Sequence, residues 1–160
     1  MIRRLWQCND WNKYLDENCR KGVRLRFDKE VDEEVKRACK EYVCWLRTNY
    51  DFPIRIPIYL KASKYVTVST GEKVSAYFFG PYEKIYEPYI KVSVGDYEDL
   101  LDKLGKDNAL ATILHSITHE LSHYYQWIKE SDLSDEKSEC QARYYADAIL
   151  CDYAEVKEHP

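Results

Sequence analysis

The sequence predicts an α+β fold: a small mixed β-sheet packed on a long helix, an antiparallel helix after it, and extra helix at the N-terminus. Three observations carry this. Residues 54–94 alternate apolar and polar with period two. Residues 108–129 repeat apolar positions with period 3.6, and so do residues 135–155. Only about five residues separate those last two runs, so the helices must be antiparallel neighbours.

The 160 residues divide into three successive parts of one domain, with no repeat and no linker between them. Residues 1–50 read as helical. Val31, Val35, Ala38, Tyr42 and Trp45 or Leu46 form one stripe over 28–48, with Asp28 as the expected N-cap. A shorter helix is expected around Asp10 to Asn18.

The sheet is expected over 54–94. Ile54, Ile56, Ile58 and Leu60 face one way, and Pro57 leaves part of that strand unpaired on its donor side. Tyr65 to Ser69 and Val74 to Phe79 read as a hairpin turning near Thr70-Gly71-Glu72. Gly80-Pro81 breaks the chain, and Tyr89 to Val94 resumes the alternation. Residues 96–155 are helical, with Asp96, Asp107 and Ser134 as expected caps and Gly105 as a stop.

Several function classes recede on composition. A net charge of −4 lacks the basic footprint of nucleic-acid binders. No apolar run is long enough to span a membrane, and residues 1–20 lack the apolar stretch of a signal peptide. The expected setting is the cytoplasm. Six cysteines, at 8, 19, 39, 44, 140 and 151, form no Cys-x-x-Cys pair. They read as reduced thiols packed as small hydrophobes.

The chemistry concentrates in His119-Glu120-Leu121-Ser122-His123. At about 100° per residue, Ile113, Leu114, Ile117, Leu121, Tyr124, Tyr125 and Ile128 form one core stripe with Leu110. His119 and His123 fall opposite it. Two histidines at i and i+4 project in parallel and can meet one metal ion. Glu120 lies at the flank, too far round to be a ligand. It is placed to take a proton from water on the metal's open side.

A catalytic zinc commonly has three protein ligands. Downstream candidates are Asp132, Asp135, Glu136, Glu139, Asp147, Glu155 and His159. Hinging the helix pair near residue 132 brings Glu139 level with His123, within about one turn. Glu139 also shares a face with Ala142, Ala146, Ile149 and Tyr153, where small residues permit close approach. His115, one turn before His119, reads as a supporting group, an additional contact or a structural histidine.

With these residues the chain resembles a zincin of the gluzincin type over about Ile54 to Ala154. It is similar in scale to minimal single-domain gluzincins, and in order of parts to SprT-like and ImmA/IrrE-like metallopeptidases. The resemblance implies a zincin-like fold and peptide-bond hydrolysis at one Zn2+ ion. His119, His123 and Glu139 would be its ligands, and Glu120 the general base. It also implies that an edge strand, best matched by Ser75-Ala76-Tyr77-Phe78 with Tyr89 to Val94 as rival, pairs with an extended peptide or protein substrate. The resemblance is not complete. Where larger gluzincins carry a supporting Asp four residues after the glutamate ligand, this chain has Arg143, leaving Asp147 as the alternative. The SprT-like zinc ribbon is absent. Tyr77, Tyr124, Tyr125, Tyr144 and Tyr145 are the candidate oxyanion donors. The competing readings are a non-catalytic zinc-containing regulatory module, and a latent peptidase acting on one protein, its metal covered by a thiol or by the tail with His159.

Overall fold

The computed structural model describes residues 2–16 and 19–160. It is α+β, with four α-helices and a small mixed sheet among the described residues. The strands are β1 (Val23–Phe27), β2 (Ile56–Lys61), β3 (Val66–Thr67), β4 (Lys73–Val74), β5 (Ala76–Phe79) and β6 (Tyr89–Ser93). The helices are α1 (Glu33–Asn49), α2 (Tyr97–Leu104), α3 (Lys106–Ile128) and α4 (Asp135–Val156).

The main sheet runs β1-β2-β6-β5. β1, β2 and β6 are parallel, and β5 closes one edge antiparallel to β6. Ile56, Ile58, Leu60, Ile90 and Val92 point to the helices and are fully buried or nearly so. Ile56 N donates to Gly22 O on the β1 side, so the Pro57 nitrogen faces the β6 side, where pairing starts only at Ile58. The proline therefore removes no ladder bond.

Four expectations are corrected. Residues 1–50 are not all helical, because Val23–Phe27 is a strand whose register partners run from Ile56 to Leu60. Its Val-Arg-Leu-Arg-Phe alternation has period two, but five residues ahead of a strong helical stripe are easily absorbed into it. The cap of α1 is Asp32, which accepts from Glu34 N at 2.8 Å, not Asp28. Asp28 instead accepts from Ala62 N at 2.9 Å and Lys61 Nζ at 3.0 Å, tying the end of β1 to β2. The expected hairpin divides at Ser75: β3 and β4 form a separate two-stranded sheet, and β5 joins the main one. Finally, Asp107 does not cap α3, which starts after Gly105 with φ 82°. Ser134 caps α4 as expected, accepting from Lys137 N.

The short helix expected at 10–18 is a 3-10 turn at Trp11–Tyr14, and its positions 17 and 18 lie outside the described residues. The segment before it straps α3 to α4. Trp6 is fully buried against Tyr50 and Tyr125 and donates its indole N–H to Ser122 Oγ at 3.0 Å. Arg3 grips Asp152 with two guanidinium nitrogens at 2.7 and 2.8 Å. Trp6→Ala is expected to cost about 3–5 kcal/mol by urea denaturation, from lost burial and a residual cavity. A loss below about 1 kcal/mol would mean the strap is not part of the folded core.

α4 returns along α3 with Ala142, Ala146, Ile149 and Tyr153 turned inward and buried. The small side chains let the axes approach, which sets the height of Glu139 against α3.

Candidate metal centre

α3 presents its whole predicted core stripe, from Leu110 through Ile128, to the sheet and α1, and those residues are buried. The opposite face, with His119 and His123, turns toward α4 and an open cavity of 690 Å³. The two imidazole rings lie 4.9 Å apart, as i, i+4 spacing requires.

Glu139 meets both. Its Oε2 lies 3.0 Å from His119 Nε2, and its Oε1 lies 2.9 Å from His123 Nε2. One ligand atom from each of these three residues falls within 4.8 Å of the others. The donor set fits a divalent cation on chemical grounds. His123 Nδ1 lies 2.8 Å from Gln126 Oε1, an acceptor, so Nδ1 carries the proton. The Nε2 of a neutral ring then turns a lone pair toward a carboxylate oxygen. Two acceptors at that distance need a proton or a metal ion between them. Two imidazoles and one carboxylate are a ligand set that suits zinc. Burial also holds the His119 pKa below its ordinary value, and the nearby His123 acts in the same direction against the pull of Glu139. A neutral ring is the ligating form.

Glu120 stands outside that trio, as its wheel position predicts, and lines the same cavity. It is buried, with 8% of its surface exposed. Burial, then the Glu139 charge, push its carboxyl up to about 8, while a backbone hydrogen bond from Phe78 acts the other way. A pKa raised on folding gives stability that is full below the unfolded value of 4.5 and is lost as pH rises through about 8. The metal-free protein should therefore lose melting temperature between about pH 5 and pH 9 through this group. Thermal melts of wild type beside Glu120→Gln check this. The fall should shrink in the variant, and equal falls would remove Glu120 as its source.

β5 supplies the opposite wall through Ala76, Tyr77 and Phe78, the residues expected there. The rival Tyr89 to Val94 lies inside the sheet between β2 and β5, so it offers no free edge. Ser93 N donates to Ser75 O at 2.8 Å, which marks the odd residues of β5 as those bonded to β6. The backbone N–H and C=O of Ala76 and Phe78 consequently point outward, over the cavity.

Other expected residues lie elsewhere. His115 pairs with Asp147 at 2.8 Å, and neither lines the cavity. Asp147 therefore supports His115 rather than His119 or His123. Tyr124 and Tyr125 are buried, with their hydroxyls on Ile54 O and Asp51 O. Tyr145 accepts from Leu5 N, and Tyr144 is exposed on α4 outside the cavity. Tyr77 stands edge-on to Tyr89 on the outer face of the sheet, with ring centroids 6.0 Å apart. His159 pairs with Asp107 at 2.6 Å, in the first turn of α3. That is twelve residues, about 18 Å, from His119, so the tail does not cover the site.

Tyr82, Lys84 and Trp127, which carry no motif or periodicity in the sequence to mark them, also line the cavity. Trp127 donates to Pro81 O at 2.9 Å and abuts Gly80, where a Cβ would fall 2.6 Å from its ring. The Gly80-Pro81 break is what lets the strand end close on α3.

No helix is long and apolar enough to cross a membrane among the described residues. All six cysteines are free thiols. Neither a family model, a curated protein nor a solved structure matches this chain.

Proposed function

We propose that this chain is a zinc-dependent peptidase of zincin-like, gluzincin type. The observation that carries the reading is the convergence of His119, His123 and Glu139 beside a buried Glu120, in one cavity walled by a free strand edge. His119, His123 and Glu139 would hold the ion. When bound, zinc supplies Lewis-acid polarisation of a scissile carbonyl and lowers the pKa of water.

The remaining steps belong to the chain. Glu120 takes a proton from the attacking water and returns it to the leaving amine. Its burial, together with the Glu139 charge, raises its proton affinity enough for both transfers near neutral pH. Positive charge held by His119, His123 and Glu139 would oppose that rise and keep the carboxylate form of Glu120 accessible. The outward N–H and C=O of Ala76 and the C=O of Phe78 pair with an extended peptide, while the Phe78 N–H is turned to Glu120, giving affinity through backbone and little side-chain selectivity. Docking of His159 at the far end of α3 speaks against latency by the tail.

The test is chelation and reconstitution. Chelated protein should hydrolyse an unstructured peptide substrate, such as casein, at background rate. One equivalent of Zn2+ should restore turnover. Failure to bind zinc at micromolar concentration, or binding without hydrolysis, would overturn the reading.

A further inference from the structure

Gln126 lies three residues past His123 on α3 and is only 7% exposed. A buried amide must satisfy both of its ends. Its Oε1 accepts from Ser138 Oγ at 2.7 Å as well as from His123 Nδ1 at 2.8 Å. Its Nε2 donates to Ser138 O at 3.0 Å and to Gln141 Oε1 at 2.9 Å. The orientation of the amide follows from this set. A backbone carbonyl can only accept, so the nitrogen must face Ser138 O and the oxygen must face His123. An amide oxygen can only accept in turn, so His123 must carry its proton on Nδ1. That leaves Nε2 as the nitrogen able to bind metal.

The same side chain therefore acts on two elements. Through His123 it fixes which ring nitrogen points at Glu139. Through the Ser138 carbonyl it holds the α4 backbone one residue before Glu139. Arg143 stands four residues after Glu139, and Asp147 is taken by His115, so neither α4 position expected to carry a supporting carboxylate does this work. A neutral amide also differs in kind from a carboxylate. It orients the imidazole without adding negative charge, which leaves a bound cation more electrophilic.

We propose that Gln126 is the positioning residue of the metal centre: it sets the tautomer of His123 and locks the α4 segment bearing Glu139 to it. This rests on the reading of His119, His123 and Glu139 as ligands, and its test separates the two.

The readouts are imidazole nitrogen shifts of the full-length, metal-free protein at about pH 8, where an ordinary imidazole is neutral, and Zn2+ affinity by competition with a chromophoric chelator. Wild type should show His123 protonated at Nδ1. Gln126→Met, similar in length but without the acceptor, should move that proton to Nε2, leave His119 unchanged and weaken Zn2+ binding by about 10–100-fold. Gln126→Glu keeps the acceptor and should restore the Nδ1 tautomer. An Nε2-protonated His123 in wild type overturns the proposal even where Gln126→Met does not fold. So does unchanged zinc affinity in a folded Gln126→Met. A wild-type protein that shows the Nδ1 tautomer but binds no zinc would instead sink the peptidase reading, leaving the tautomer assignment standing.

Discussion

Glu120→Gln is expected to keep its zinc and to lose about a thousandfold in kcat, the range in which a positioned general base contributes. The substitution is nearly isosteric. Its amide oxygen can still accept from the Phe78 backbone, and its lost charge relieves a buried site rather than stressing it. The variant should melt no lower than wild type above neutral pH. Only the ability to take and return a proton disappears. Because Glu120 is not among the converging ligand atoms, metal content should stay at one equivalent. The measurement is peptide turnover under saturating zinc, with metal analysis of the same sample. Equal turnover in both proteins would remove Glu120 from the chemistry.

Glu139→Ala is expected to act the other way round, on the metal before the chemistry. Glu139 is the one ligand that α4 contributes, and its carboxylate reaches both His119 and His123. Without it, two imidazoles on adjacent turns remain, and zinc affinity should fall by more than about a hundredfold, beyond what losing an outer hydrogen-bond partner costs. Stability should change little in the metal-free form, because the Glu139 side chain is 55% exposed and its ion pairs are screened by solvent. Titration with Zn2+ against a chelator of known affinity checks it. Wild-type affinity in Glu139→Ala would place the third ligand elsewhere.

The residues that were legible in sequence are those whose geometry a single element dictates. His119, Glu120 and His123 follow from the helical repeat alone, because the wheel fixes which faces they occupy. Glu139 was within reach because the short connection after α3 forces α4 back along it. Alternation and the Gly80-Pro81 break showed that Phe78 and its neighbours form a strand, and the gluzincin resemblance suggested that it lines the cleft. What escaped depends on contacts between elements. Gln126 looks like one more polar residue on the face of α3 that carries the histidines, until Ser138 and Gln141 arrive from α4. Asp28 sits where a cap could be, and only the pairing of β1 with β2 shows that its partners are Lys61 and Ala62. Trp6 belongs to a segment with no periodicity, so nothing local announces that it fills the core.

The five residues from His119 to His123 touch five different surroundings. His119 meets α4, Glu120 meets the edge strand, Leu121 enters the core, Ser122 takes the indole of Trp6, and His123 turns to Gln126. The two positions that the chemistry leaves open, Leu121 and Ser122, are thus closed by packing and by the N-terminal strap. A saturation library across this stretch should show no permissive site. Tolerance at Leu121 should be limited to apolar residues of similar volume, and at Ser122 to small hydroxyl-bearing ones.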